Sequence, residues 1–119
     1  LQFTPHLVPM VRGLLATVYG RLRDPGITAD DCMTVLDTFY RNHPNVGILP
    51  VGTYPSTKWV RQTNKALLSV QVDSRTGQVV LMCAIDNLVK GQAGQAIQNL
   101  NLMAGLPQET GLPLVCYYP

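Results

Sequence analysis

The sequence predicts an α+β fold in which helices pack on one face of a mainly antiparallel β-sheet. Two amphipathic helix patterns follow Thr28 and Lys90, and several β-favouring segments surround them. Two of these segments, 66–72 and 78–85, are separated by a short polar link and predict a hairpin. Helices that each bury one stripe against a sheet are typical of this layered class.

The opening segment, 1–11, is apolar but contains Pro5 and Pro9, which cannot donate to a β-ladder. We therefore expect a loop or an irregular edge strand there. A regular strand is predicted over 14–19, and Asp24-Pro25-Gly26 predicts the turn that follows it.

The first helix has a clear start signal. Thr28 is the predicted N-cap, and Asp31 completes a capping-box variant with Asp in place of Glu or Gln. Asp30 adds a second negative charge at the helix N-terminus, where the helix dipole favours it. Pro44 ends the pattern. The residues expected on one buried face follow the spacing i, i+3, i+4 and i+7: Cys32, Val35, Leu36 and Phe39.

A short strand is predicted over 46–49, before the hairpin. The second hairpin strand, 78–85, is apolar on both faces, which predicts a central position with cover on both sides. The predicted helices supply cover for one face, so we expect a further partner on the other.

The second helix is predicted over 90–104, ended by Gly105 and Pro107. Its expected apolar stripe consists of Ala93, Ala96, Ile97, Leu100, Met103 and Ala104. The tail after it, 108–119, is rich in turn residues, and we expect it to be irregular.

Composition excludes several classes of protein. Hydrophobic residues make up 46% of the 119 residues, which is typical of a globular domain and not of a disordered chain. The net charge is only +2 and the basic residues are scattered, which argues against a nucleic-acid or membrane-surface partner. No apolar run reaches the roughly 20 residues of a membrane span, and no signal-peptide pattern occurs. We therefore expect a soluble, cytoplasmic protein.

The cysteines predict neither a metal site nor a nucleophile. Cys32, Cys83 and Cys116 form no CxxC pair and no Cys/His cluster with ligand spacing. Cys32 and Cys83 lie within apolar patterns, which favours core packing. No Ser/His/Asp or HExxH arrangement can be recognised.

One junction is unusual. The chain leaves an apolar strand through Asp86-Asn87 and enters a helix whose first turn contains Gly91 and Gly94. Each glycine costs a helix about 1 kcal/mol relative to alanine, so a ligand or a second backbone is expected close by. The alternative is tight packing of the helix on the sheet, with Asn87 as an N-cap.

A second candidate site is the opening segment, which contains His6 and Arg12. An arginine can bind a phosphate or a carboxylate through two parallel hydrogen bonds. The alternative is an ordinary surface arginine and a histidine satisfied by its neighbours.

Three stretches resemble a known family. They are Phe3-Thr4-Pro5-His6-Leu7-Val8-Pro9-Met10 with Arg12-Gly13, then Ala84-Ile85-Asp86-Asn87-Leu88-Val89-Lys90-Gly91 continuing to Met103, and finally the ending from Gly105 to Pro119. In this order they resemble the N-acetyl-gamma-glutamyl-phosphate reductases. The resemblance implies a fold similar to the catalytic domain of glyceraldehyde-3-phosphate dehydrogenase, with a Rossmann domain before it.

The resemblance also implies an activity. Such reductases use NADP to convert the acyl phosphate N-acetyl-glutamyl phosphate into its semialdehyde in arginine biosynthesis, through a cysteine thioester. Their cysteine motif, their His-Arg-His segment and their Gly-rich dinucleotide loop do not occur in this sequence. No catalytic residue is therefore expected in this chain, and the chain alone should be inactive.

What carries over is a set of binding residues and partners. By resemblance, the cofactor contacts are Asn87, Lys90, Gly91 and Gln92, and the substrate contacts are His6 and Arg12. The implied partners are the preceding part of the same protein and further copies that assemble through the sheet.

The chain begins with Leu1 in a strand-like run and without Met. We therefore expect residues 1–119 to form one C-terminal portion of a catalytic and oligomerisation domain, without its N-terminal dinucleotide-binding domain. The alternatives are a stand-alone, non-catalytic interaction or assembly domain of the same fold, and the related aspartate-semialdehyde dehydrogenases, which the opening segment fits less well.

Overall fold

The structure is a computed structural model that describes residues 2–116. This part of the chain contains a four-stranded sheet, three α-helices and one π-helical turn. In chain order the elements are β1 (Leu14–Arg21), α1 (Ala29–Tyr40), β2 (Val46–Ile48), α2 (Thr57–Val60), β3 (Ala66–Asp73), β4 (Gln78–Ile85), the π-helix (Val89–Ala93) and α3 (Gly94–Met103). The opening segment before β1 is a loop, which is one of the two predicted possibilities.

The strand order is β1-β4-β3-β2. Strand β4 pairs antiparallel with both β1 and β3, whereas β2 runs parallel to β3. The α+β prediction is therefore confirmed, and the sheet is mixed rather than purely antiparallel. The parallel pair arises because the chain crosses over through α2 between β2 and β3, whereas a hairpin joins β3 directly to β4.

The central position predicted for β4 is confirmed, since it lies between β1 and β3. Within the described residues the cover of β4 is incomplete, and the further partner expected on one face stays a prediction. Within β4 only Ala84 is buried, and most of the other side chains are half-buried. Helix α1 contacts β2 and β3, and the short α2 contacts β4, which leaves much of the β1–β4 half of the sheet without a helix.

The capping box of α1 is confirmed. The hydroxyl of Thr28 accepts a hydrogen bond from the Asp31 backbone N–H at 3.2 Å, and the Asp31 carboxylate accepts one from the Thr28 N–H at 2.9 Å. This reciprocal pair satisfies two backbone donors at the helix start, where no intrahelical partner exists.

The buried face predicted for α1 is half wrong. Cys32 and Leu36 are half-buried, but Val35 and Phe39 are 67% and 69% exposed. The helix is rotated about its axis, so that the side nearer the sheet comprises Ala29, Cys32, Met33, Leu36 and Tyr40. Those positions also follow a helical spacing, and sequence periodicity alone does not choose between two adjacent apolar stripes.

The second helix differs from its prediction at both its start and its faces. It begins with the π-helix, continues as α3 to Met103, and ends at Gly105, whose φ of 70° provides the expected left-handed stop. Every member of the predicted apolar stripe is exposed, including Leu100 at 62% and Met103 at 86%. The buried positions of α3 are instead Gly94, Gln98 and Asn101.

The inner side of α3 is polar and forms part of a buried amide cluster. Helix α3 contributes Gln98 and Asn101, and the other two members are Asn45 and Asn64. Asn64 Nδ2 donates to Asn45 Oδ1 at 3.2 Å and to Gln98 Oε1 at 3.0 Å. Asn101 Nδ2 donates to the carbonyl oxygens of residues 108 and 110 in the tail, which lies irregularly as predicted up to residue 116. Each of these amides forms at least one hydrogen bond, which offsets part of the cost of its burial, although Asn45 Nδ2 and Asn64 Oδ1 find no partner among the described residues. Tyr117, Tyr118 and Pro119 lie outside the described residues.

Candidate functional site

The candidate site is built around Asp86, the first residue after β4. Its side chain is fully buried. The carboxylate accepts hydrogen bonds from Arg12 Nη2, at 2.6 Å to Oδ1 and 2.8 Å to Oδ2, and from the backbone N–H of Gln62 at 2.7 Å. Oδ1 also accepts from the N–H groups of Leu88 and Val89, at 2.8 and 2.9 Å. The buried charge is therefore paired with a cation and hydrogen-bonded at both oxygens, which is the condition under which burial of a carboxylate is tolerated.

These contacts determine the ionisation of Asp86. Burial alone would raise its pKa, but the hydrogen bonds from Arg12 and from the N–H groups of Gln62, Val89 and Leu88 outweigh it and lower the pKa from 3.8 to about 2. Asp86 is consequently an anion at all physiological pH values. Its bonds to Leu88 and Val89 also satisfy backbone donors at the start of the π-helix.

Asn87 does not cap the helix, contrary to the alternative considered from the sequence. Its Oδ1 accepts a hydrogen bond from the backbone N–H of Gly13 at 2.8 Å. Its Nδ2 donates to no residue in the range 2–116, and it is not among the buried polar atoms of that range. The side chain therefore presents an accessible hydrogen-bond donor beside the first turn of the π-helix.

Gly13 is required at its position for two reasons. Its φ of 113° lies in a region that side-chain-bearing residues rarely adopt, and a Cβ there would lie 2.6 Å from Thr57 Cβ. The consecutive residues Arg12 and Gly13 thus meet the consecutive residues Asp86 and Asn87, across a separation of 74 positions in the sequence.

The two glycines of the junction serve different purposes. A Cβ on Gly94 would lie 2.7 Å from the Val89 carbonyl oxygen and even closer to Asn64 Oδ1, so tight packing of the helix explains this glycine. A Cβ on Gly91 would meet only the Asp86 carbonyl oxygen and Ile85 Cδ1, both at 3.4 Å. Gly91 is exposed, and packing within the described residues does not explain it.

Lys90 is turned towards the interior. Its Nζ donates to Gln98 Oε1 at 2.7 Å, which attaches the π-helix to the amide cluster. Burial lowers the pKa of Lys90, and the nearby Cys83 acts in the opposite direction. Burial raises the pKa of Cys83, so its thiol stays protonated, as expected of a packing residue rather than a nucleophile.

The structure therefore brings some of the predicted residues together. Arg12 and Asn87 lie at one junction, with Gly91 and the exposed Gln92 in the π-helix next to it. His6 lies in the exposed opening loop. No group of three or more potential metal ligands occurs among the described residues, and no helix in that range is long and apolar enough to cross a membrane.

Sequence reasoning did not single out Asp86, Gly13 or Gln62 as site residues. The signal for Asp86 was present, since it is a carboxylate directly after an apolar strand. Nothing in the sequence indicated Gln62, whose φ of 61° is unusual for a residue with a side chain and whose N–H binds Asp86.

Comparison with known proteins decides the family. Residues 1–87 match the model of the semialdehyde dehydrogenase dimerisation domain. The chain belongs to this family. The matched part of the dimerisation domain includes all four strands and the Asp86–Asn87 pair, whereas the π-helix and α3 follow it.

Close relatives extend the similarity to the whole chain. An N-acetyl-gamma-glutamyl-phosphate reductase of Synechococcus sp. (strain CC9605) is 76% identical over 119 residues, and one of Parasynechococcus marenigrum (strain WH8102) is 75% identical. One of Prochlorococcus marinus (strain MIT 9211) is 73% identical. Each comparison covers 100% of this chain but only 33% of the relative, so the chain spans about one third of the length of these proteins. The resemblance inferred from the three sequence stretches is confirmed.

Proposed function

We propose that this dimerisation domain is the C-terminal portion of an NADP-dependent N-acetyl-gamma-glutamyl-phosphate reductase. The parent enzyme would convert N-acetyl-glutamyl phosphate into N-acetyl-glutamate semialdehyde in arginine biosynthesis, in the cytoplasm. The observation that carries this proposal is the identity of 73–76% to such reductases over every residue of the chain. The dinucleotide-binding domain and the nucleophilic cysteine would come from the preceding part of the same polypeptide.

On the cofactor side, the residues of the junction fit the nicotinamide end of NADP. Asn87 Nδ2 is an accessible donor without a described partner, and a carboxamide carbonyl is a suitable acceptor for it. Gly91 and Gln92 are both exposed in the π-helix that follows Asn87, and a Cβ on Gly91 would meet atoms of this chain only at 3.4 Å. Lys90 fits less well, since its ammonium group is bound to Gln98. When bound, NADPH supplies the hydride, and these residues would hold and orient its ring.

On the substrate side, the sequence resemblance implies that His6 and Arg12 contact the anionic groups of the acyl phosphate. His6 is exposed and available for such a contact. Arg12 already binds both oxygens of Asp86 through Nη2, and its Nε is buried, so only Nη1 is left for a substrate. We therefore propose His6 as the substrate contact, and Arg12 as the partner of the Asp86 carboxylate instead.

Assembly through the sheet is supported by the exposed apolar side chains of β1. This edge strand carries apolar side chains on both faces, and its outer edge has no partner strand in residues 2–116. An exposed apolar edge strand is usually covered in the functional protein. Leu14, Leu15, Val18 and Tyr19 are the exposed positions, and we expect the homo-oligomer to form over them.

The test is the intact mass of the parent polypeptide together with an NADPH-dependent reductase assay on the same sample. The chain has a mass of 13.0 kDa and spans 33% of its relatives, so a parent about three times as heavy and active is the expected result. A polypeptide of 13.0 kDa without activity would favour a stand-alone assembly domain.

A further inference from the structure

We infer that Asp86, Arg12 and Gly13 form a clamp that positions the Asn87 side chain, so that its amide is presented to the cofactor as a hydrogen-bond donor. The inference deepens the proposed function and rests on it for the identity of the ligand. Arg12 is thereby a positioning residue for the cofactor, rather than a contact for the substrate.

The orientation of the Asn87 amide follows from its partner. A backbone N–H can only donate, so the atom of Asn87 that faces the Gly13 N–H at 2.8 Å must be the carbonyl oxygen. Rotation of the amide by a half-turn would place its NH2 group against another donor. The Gly13 contact therefore fixes which end of the amide stays accessible, and that end is Nδ2.

The position of the Gly13 N–H is fixed in turn by its neighbours. On one side Arg12 binds both oxygens of the buried Asp86. On the other, the backbone of Gly13 passes so close to Thr57 that no side chain fits between them. Asp86 is itself held by three backbone N–H groups, so the clamp is attached at one end to β4 and the π-helix and at the other to the segment before β1.

The clamp limits the chemistry of ligands at Asn87. A fixed donor binds an acceptor such as the carbonyl oxygen of a carboxamide, and it cannot form a hydrogen bond with the NH2 of the same group, which is itself a donor. Asn87 should therefore distinguish the two ends of the nicotinamide carboxamide.

The experiment uses the intact parent enzyme, NADP and its 3-acetylpyridine analogue, which keeps the carbonyl group and lacks the NH2 group. Binding of each is titrated to the wild type and to Asn87→Ala. Because Asn87 contacts the carbonyl, Asn87→Ala should weaken both ligands by the same factor, about 10-fold for one lost hydrogen bond. A variant that weakens NADP but leaves the analogue unchanged would show that Asn87 contacts the NH2 group, and the inference would be wrong.

The clamp itself is tested with Arg12→Ala and Arg12→Lys, and with Arg23→Ala as the control, since Arg23 is exposed in a loop. Arg12→Ala should weaken NADP binding about 10-fold and change the KM for the acyl phosphate by less than about 2-fold. Arg12→Lys, which keeps a cation opposite Asp86, should retain part of the NADP affinity. If Arg12→Ala does not fold, the NADP affinity of Arg12→Lys tests the positioning role of Arg12 instead.

Three results separate the possible failures. A selective rise in the KM for the acyl phosphate would make Arg12 a substrate contact and overturn the clamp. Unchanged NADP binding in both Arg12 variants would also overturn it and leave the proposed function standing. A wild-type parent that binds no NADP would refute the proposed function itself.

Discussion

The two glycines of the junction yield a paired prediction, because the structure assigns opposite consequences to a methyl group at each. In Gly94→Ala the new Cβ would lie 2.7 Å from the Val89 carbonyl oxygen and 2.8 Å from Val89 Cγ1, and closer still to Asn64 Oδ1. Two of these three atoms cannot yield easily, since one is backbone and another belongs to a buried side chain. In Gly91→Ala the same methyl group meets atoms only at 3.4 Å, which is ordinary contact.

The magnitudes follow from packing and helix propensity. Overpacking in a close-packed interior destabilises a protein by about 1–3 kcal/mol, or by more where backbone atoms are in the way. Replacing glycine by alanine in a helix offsets about 1 kcal/mol of this, because alanine has the higher helix propensity. We expect Gly94→Ala to destabilise the segment by about 2 kcal/mol, since its clashes involve backbone. Gly91→Ala should leave stability unchanged or raise it by up to about 1 kcal/mol. Gly91→Ala should instead weaken NADP binding, because the methyl group occupies the space proposed for the cofactor.

The assay is hydrogen–deuterium exchange of peptides covering residues 89–103 in the parent enzyme, which reports local opening in a multidomain protein. A loss of about 2 kcal/mol corresponds to about 30-fold faster exchange in Gly94→Ala. Exchange in Gly94→Ala as slow as in the wild type would refute the packing argument, and equally fast exchange in Gly91→Ala would refute the distinction between the two glycines.

Three further predictions concern the site and the sheet. Asn87→Ala in the parent should raise the KM for NADPH about 10-fold with little change in the thermal midpoint, and unchanged kinetics would remove Asn87 from the site. Because the pKa of Asp86 is lowered from 3.8 to about 2, its ionisation stabilises the fold by about 2 kcal/mol above pH 3.8, and this contribution is lost as the pH falls towards 2. The difference in thermal midpoint between wild type and Asp86→Asn should therefore shrink as the pH is lowered from about 5 to 3, whereas a constant difference would contradict the assigned pKa. Replacement of Leu15 and Tyr19 by Lys should reduce the oligomer size measured by light scattering, whereas Val35→Lys on the exposed side of α1 should not; identical sizes in all variants would exclude β1 from the interface.

The elements that could be predicted from the sequence are those specified by local signals. The Thr28–Asp31 capping box, the hairpin and the stop at Gly105 each depend on residues a few positions apart, and the structure confirms all three. The faces of the helices depend on what covers them, and there the predictions were wrong for Val35, Phe39 and the stripe on α3. Apolar periodicity predicts which residues share a face but not what that face packs against, and this chain spans about one third of the length of its relatives.

The candidate site was accessible to sequence reasoning only in part. Asn87 and Gly91 could be proposed because two glycines follow a polar pair at the end of a strand, and the resemblance to reductases supplied a ligand. The pairing of Arg12 with Asp86 could not be predicted, because the two residues are 74 positions apart and local sequence context does not show which residues meet across that distance. The same holds for Gly13, whose positive φ and close approach to Thr57 are features of the folded chain.

The burial pattern of α3 reverses the rule by which mutational tolerance is usually estimated. In most surface helices the apolar positions are the sensitive ones and the amides can be exchanged freely. Here Asn101→Leu would leave the carbonyl oxygens of residues 108 and 110 without their donor, although leucine is the better helix former. Leu100→Gln would disturb nothing within the described residues, since this side chain faces outward. A substitution screen of this helix that scored only the stability of the chain itself would therefore rank the buried amides Gln98 and Asn101 as essential and the exposed aliphatic side chains as dispensable.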